Sequence, residues 1–169
     1  MSDAQMQRSV QWLERLLQLM GVSSDVQAQL LPAVESDRGT SENYWLTINQ
    51  QDLQPEQIQA LIGDQGSVLD AIQYLANATL NVNQTLDGQA AYTIELDGYR
   101  VRRQAEIEAI AQQAIENVRA TSQEVEIKSL SSAERRQIHT FLKDYSDLET
   151  FSRGKEPHRH LVIRLTAQS

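Results

Sequence analysis

The spacing with the most chemistry in it is Arg135 followed four residues later by His139, in the stretch Ser131-Ser-Ala-Glu-Arg-Arg-Gln-Ile-His139. On a helix two side chains so spaced stand one above the other on one face. A guanidinium offers a planar fork of donors that suits phosphate, and an imidazole can donate a hydrogen bond or stack on a base. Downstream, Ser152-x-Gly154-x-x-Pro157-x-Arg159 leads into the alternating residues Leu161, Ile163 and Leu165. Arg159 shares their parity, so it is expected on the helix-covered side of a strand, at its open end, completing an anion site with Arg135 and His139. Arg136, Arg153 and Lys155 are further candidates for phosphate. On the plainer reading Arg135 is an exposed helix residue paired with Glu134, His139 is a satisfied half-buried ring, and the other cations are solvated.

A second candidate is Gly63-Asp64-Gln65-Gly66. Glycines let the backbone approach a phosphate closely, and the amides opening the next helix supply donors and a positive dipole end. The same pair also serves as an ordinary helix cap and tight turn. Asp64 works against phosphate, since two like charges about 4 Å apart repel by ~1 kcal/mol even in water.

Composition narrows the alternatives. The 169 residues have 40% hydrophobic and 22% charged side chains, a balance that folds, and no cysteine, which excludes disulfides, thiol catalysis and Cys-ligated metal within this sequence. His139, His158 and His160 lack a spaced acidic partner to complete a tetrahedral metal set, and no nucleophile–base–acid order is present, so neither metal, cofactor nor catalysis is expected. No apolar run is long enough to span a membrane and no signal-peptide order opens the chain, which predicts a cytoplasmic protein without a membrane partner. The net charge of −8 is split: from Lys128 onward eight Lys/Arg face five Asp/Glu, a net +3, and the preceding residues carry −11. Phosphate contacts dominate nucleic-acid affinity, so the C-terminal part is the better surface for it.

The elements that must hold these residues follow from periodicity. Met6, Val10, Leu13, Leu16, Leu17 and Met20 make a helical stripe over Asp3 to Met20, capped by Gly21. A strand at Val26 to Leu30, stopped by Pro32, a polar turn from Ser36 to Asn43 and a strand at Tyr44 to Ile48 make a hairpin. Pro55 opens a short helix to Ile62, and Ser67 with Asp70 reads as a capping box for a helix burying Leu69, Ile72, Leu75, Ala76 and Leu80. A strand follows at Ala91 to Leu96. A long helix, 99–120, is expected to bury Val101, Ala105, Ile110, Ala114, Ile115 and Val118, with Tyr99-Arg-Val-Arg-Arg103 as a basic entrance. Then come a strand at Val125 to Ile127, a helix opened by the capping box Ser131 and Glu134, and strands at Leu148 to Phe151 and Arg159 to Leu165. Trp12 and Trp45 lie in apolar patterns and read as packing residues.

Leu61 to Leu75, set between a strand and a helix–strand pair, resembles the Gly-x-x-Gly region of a KH domain of the bacterial type. That resemblance implies a loop clamping single-stranded nucleic acid, although such loops usually carry Lys or Arg where this one has Asp64. Glu134 to His139 with Ser152 to Ile163 resembles the R₃H domain, named for its Arg-x-x-x-His pair, and implies that Arg135, His139 and a later basic residue bind single-stranded nucleic acid. A KH unit followed by an R₃H unit is the arrangement of the Jag family of bacterial RNA-binding proteins, whose further N-terminal domain and linker this sequence is expected to lack. The expected fold is α+β: a KH-like domain at 1–97 and an R₃H domain with a three-stranded sheet at 98–169. The expected function is binding of single-stranded RNA, with single-stranded DNA as a second ligand, through Arg135, His139, Arg159, Arg136, Ser152, Gly154 and Lys155, and with a smaller part for Gly63, Asp64, Gln65 and Gly66. The alternative is a non-catalytic adaptor whose acidic KH half binds a protein partner, itself RNA-binding or ribosome-associated.

Overall fold

Apolar residues at helical spacing build α1 (Ser2–Leu19), whose Leu13 and Leu17 are fully buried. Gly21 ends it at φ +79, with the Val22 amide donating back to the Leu17 carbonyl at 2.9 Å. The computed structural model describes residues 2–36, 39–85 and 88–167. It divides into two units, Met1–Arg100 and Val101–Ser169, both mixing helices and strands as an α+β chain does.

The first unit continues with β1 (Val26–Ser36), β2 (Gly39–Ile48), α2 (Pro55–Ile62), α3 (Ser67–Leu80) and β3 (Ala90–Leu96). This is the predicted element order. The sheet runs β1-β2-β3, antiparallel for the first pair and parallel for the second. Tyr44, Leu46, Ile48, Leu69, Ile94 and Leu96 form its core with α1. The outer edge of β3 is closed by amide side chains one turn apart on α3. Gln73 accepts from the Ile94 amide at 3.0 Å, Asn77 bonds both backbone groups of Tyr92, and Asn81 bonds both of Ala90.

Several local expectations change. Pro32 does not stop β1, which passes through it at an irregularity in register between Leu31 and Val34; β1 is an edge strand, where a missing N–H is tolerated. The polar turn is shorter than expected because β2 already begins at Gly39; residues 37 and 38 lie outside the described residues. The N-cap of α3 is Gly66 rather than Ser67, without a side-chain cap, and Asp70 instead pairs with Arg100 at 2.5 Å. Leu75 is 44% exposed, since the helix face that meets the sheet is set by Leu69, Ile72, Ala76 and Leu80. Trp12 packs against the core as expected, while Trp45 lies on the opposite sheet parity to Tyr44 and Leu46 and is half-buried there.

The second unit is led by α4 (Tyr99–Thr121), followed by β4 (Val125–Ile127), α5 (Ser132–Leu142), β5 (Leu148–Arg153) and β6 (His160–Leu165). Its sheet is antiparallel with β6 central, in the order β4-β6-β5. α4 buries Ile107, Ala111, Ala114, Ile115 and Val118, a stripe rotated from the predicted one. Val101 is 67% and Ile110 39% exposed, and Ala105 faces solvent too. The face that turns inward is the one that packs with Ile127, Leu161 and Ile163 of the sheet, whereas at the start of the helix Tyr99 packs on Gly66 and Arg100 donates to the Ile94 carbonyl, both within the first unit.

Candidate nucleic-acid interface

The predicted capping box at the start of α5 is present. Ser131 Oγ accepts from the Glu134 amide at 3.2 Å and Glu134 accepts from the Ser131 amide at 2.7 Å, an arrangement that contributes about 1 kcal/mol to a helix start. Glu134 also takes Arg103 Nε from α4 at 2.7 Å, with both side chains 15% exposed. Ile138 and Leu142 are buried against the sheet, which fixes the rotation of α5 and turns Arg135 and His139 toward the strands.

Arg135 is not the exposed fork that the sequence suggests. It is 4% exposed. Nη1 donates to the Leu130 carbonyl at 2.8 Å and the Arg159 carbonyl at 3.3 Å, and Nη2 pairs with Glu156. Arg135 therefore ties the loop before α5, the turn between β5 and β6, and the backbone at Arg159 into one piece. His139 is half-buried, and its Nδ1 is hydrogen-bonded to Thr150 Oγ1 on β5. Among the described residues its Nε2 has no hydrogen-bond partner and is not fully buried, so it is open to solvent or a ligand. Burial, then the charges of Arg159 and Arg135, push the His139 pKa below its ordinary value, so the ring is neutral near pH 7.

Arg159 lies in the segment leading into β6, exposed, and close enough to His139 to act on its charge. Arg159 precedes the first residue of β6, and its backbone carbonyl accepts from Arg135 Nη1, which keeps it near the pair on α5. Ser152 is in register with Leu161 on the helix-covered face of the sheet. Gly154 turns the chain at φ +91; a Cβ there would sit 2.7 Å from the His158 carbonyl oxygen. Lys155 is exposed in the same turn. Arg136 is exposed on α5 and rims a shallow depression of about 490 Å³ whose floor includes Ile107, Ala111, Ile138 and Phe141. That depression lies on the side of α5 away from His139, because residues 137 and 141 are about half a turn from residues 135 and 139.

Two sets of cations in this unit behave differently. Arg103, Arg119, Arg135, Arg153 and Arg164 are ion-paired, with Glu134, Asp147, Glu156, Glu124 with Glu126, and Glu149 respectively. Pairing holds Glu124 and Asp147 below the usual carboxylate range and raises Arg119 and Arg153 above theirs. Arg153, a predicted phosphate contact, is thereby committed within the protein, and it and Arg164 both lie over the Phe151 ring. Arg136, Lys155 and Arg159 have no ion pair among the described residues.

In the first unit, the Gly63–Gly66 loop is a single 3₁₀ turn with φ +73 at Gly63, +50 at Gln65 and +80 at Gly66. Both glycines are filled from inside. A Cβ at Gly63 would lie 2.6 Å from Val68 Cγ2, and one at Gly66 would lie 2.5 Å from the Tyr99 ring. Asp64 and Gln65 are exposed, and the nearby Arg100 is held by Asp70 and the Ile94 carbonyl. Glu95, missed in the sequence, is buried and accepts from the Leu96 amide at 2.7 Å and the Arg100 amide at 3.2 Å, anchoring the start of α4.

Glu156 and Thr150 were also missed. Glu156 gives no sequence signal. Thr150 does, by sharing the parity of Leu148 and Ser152 on the strand under α5. Among the described residues no group of three His, Asp or Glu is placed to hold a metal ion, and no helix is long and apolar enough to cross a membrane.

The R₃H domain model matches residues 105–165. That match takes in the second unit from within α4 to β6. Three curated relatives bear the name RNA-binding protein KhpB. The one from Clostridium symbiosum is 28% identical over 162 residues, covering 96% of this chain and 67% of the relative. Those from Lactiplantibacillus plantarum and Bacillus subtilis are 32% and 31% identical over 62% and 64% of this chain, which spans 32% and 52% of their lengths. The whole site around His139 lies within the matched R₃H domain.

Proposed function

We propose that the R₃H unit binds single-stranded RNA, with single-stranded DNA as the second ligand, and that it does so in the cytoplasm without catalysis. The observation that carries this reading is the exposed, unpaired Arg159 beside the solvent-facing Nε2 of His139. A guanidinium free of internal carboxylates can take a phosphate in bidentate fashion, and a neutral imidazole beside it can donate to a phosphate, sugar or base oxygen. Lys155 and Arg136 add positive charge on either flank. Arg135, with Ser152 and Gly154, shapes the turn that carries Arg159 rather than touching the strand. The names of the KhpB relatives support the ligand class.

The Gly63–Gly66 loop of the KH-like unit contributes little, because Asp64 and Gln65 are what it presents. A second reading, the adaptor whose KH-like half binds a protein partner, draws on one observation: α3 exposes Tyr74 and Leu75, and Val82 is exposed just beyond it.

Titration of a short single-stranded RNA at several salt concentrations tests the first reading. The expected result is salt-sensitive binding that Arg159→Ala weakens by about tenfold while lowering the salt slope by about 1, with stability unchanged. Binding without salt dependence, or an Arg159→Ala, Lys155→Ala, Arg136→Ala triple variant that binds like the parent, would overturn it.

A further inference from the structure

Thr150 stands on the face of β5 that looks toward α5, in register with Ile163, and its hydroxyl meets His139 Nδ1. A hydroxyl has one proton and two lone pairs, while a neutral imidazole has one N–H and one lone pair. Among the described residues the hydroxyl has no other hydrogen-bond partner, so the protein acceptor within reach of its proton is the Nδ1 lone pair. Placing the Thr150 proton there leaves the single N–H of His139 on Nε2, the nitrogen that faces solvent. Burial favours a neutral ring, as do Arg159 from the segment before β6 and Arg135, whose fork meets Glu156; Thr150 on β5 is uncharged, and the other cations along this helix are Arg136 and, just past its end, Lys143.

We propose that Thr150 is a positioning residue that sets the tautomer of His139, so that the R₃H site presents a neutral Nε2–H donor to an acceptor oxygen of the bound nucleotide. The inference rests on the nucleic-acid reading for its ligand, and on the structure alone for the tautomer. It makes His139 a hydrogen-bond donor beside the cationic Arg159, with the phosphate charge met by Arg159. It also assigns a role to a strand residue outside the Arg-x-x-x-His pair. A valine at 150 has the same branched shape and keeps the strand preference but has no proton to give.

The test uses the full chain with ¹⁵N-labelled histidine, comparing the parent with Thr150→Val and Thr150→Ser. Long-range ¹H–¹⁵N correlation of the imidazoles of the free proteins at pH 7.5 is expected to show His139 as the Nε2–H tautomer in the parent and Thr150→Ser, and as a mixture in Thr150→Val. Single-stranded RNA affinity is expected to fall about fivefold in Thr150→Val and to stay within about twofold in Thr150→Ser, the scale of one hydrogen bond. Far-ultraviolet circular dichroism checks that each variant is folded, and the serine variant carries the test should the valine variant not fold, since a serine that lost the tautomer would count against the proposal. A Thr150→Val protein that keeps the Nε2–H tautomer overturns the inference whatever its affinity, and so does one that loses the tautomer while binding RNA like the parent. A parent that shows the tautomer and does not bind RNA overturns the nucleic-acid reading and, with it, the donor role, while leaving the Thr150–His139 coupling measured.

Discussion

The Gly63–Gly66 loop and the turn around Gly154 both place glycine at positive φ next to a candidate phosphate site, yet they turn opposite chemistry outward. In the first, the glycines make room for Val68 and Tyr99, and the residues left facing solvent are Asp64 and Gln65. In the second, Gly154 makes room for the His158 carbonyl, and the residues left outside are Lys155 and Arg159. Glycine marks where a backbone must close tightly; it does not say what the closure serves. The charge left unpaired after the internal contacts are made distinguishes the two places, and it favours the R₃H unit.

The largest test of that contrast is Arg135→Ala. Removing the guanidinium strips the Leu130 and Arg159 carbonyls of a buried donor and leaves Glu156 without its partner. A loss of about 2–3 kcal/mol in stability is expected, below that of a fully buried pair because Glu156 is 60% exposed. Urea unfolding measures it. RNA affinity falls with it because Arg159 is displaced. Loss of affinity with unchanged stability would show instead that Arg135 touches the ligand directly.

Gly66→Ala comes next. The added methyl meets the Tyr99 ring at 2.5 Å and the residue is held at φ +80, so a loss of about 1–2 kcal/mol is expected. The contrast sharpens if stability falls while RNA affinity stays at the parent value, since the glycine then serves Tyr99 rather than a phosphate. Thermal unfolding and an RNA titration on the same sample separate the two.

Asp64→Lys is a smaller change with a sign that can break the comparison. It replaces the exposed carboxylate with a cation, as is usual in the KH loops that this stretch resembles in sequence. If the loop lies along the RNA path, affinity at low salt rises about threefold, and the gain fades as salt screens it. No change means the loop takes no part in binding.

Much of this was legible in the sequence because it depended on periodicity. The element order and the placing of Arg135 and His139 on one helix face follow from 3.6- and 2-residue repeats, and the capping box at Ser131 from its local spacing to Glu134. Helix faces were less secure: α4 has apolar residues on two sides, and only the sheet beneath decided that Ile107 and Ala111 turn inward while Val101 and Ile110 turn out. What a cation does was not legible at all. Arg135, Arg153 and Arg159 look alike in sequence, and they part company through Glu156, Glu124 and Glu126, whose positions depend on a turn and on strand pairing across the sheet.

The smallest expected effect is on pH dependence, and it runs in two directions. Burial and the neighbouring arginines lower the pKa of His139 in the folded chain. Between that lowered value and the ordinary unfolded value of about 6.5, the unfolded state holds more protons than the folded one, so stability rises with pH there. The contribution is present above about pH 6.5 and is lost as pH falls through the window beneath it. RNA affinity moves the other way, because protonation adds a positive charge beside Arg159, where phosphate is expected. The charged ring keeps its Nε2–H and donates its new Nδ1 proton to Thr150, whose hydroxyl can reverse. Unfolding midpoints and RNA affinities of the parent and His139→Gln from pH 7.5 to 5.5 isolate the effect, since His158 and His160 are common to both. The parent is expected to lose slightly more stability and gain slightly more affinity on acidification than the variant. Parallel curves would mean that His139 is already solvated like a free imidazole, and that the site has less need of Thr150 than the geometry implies.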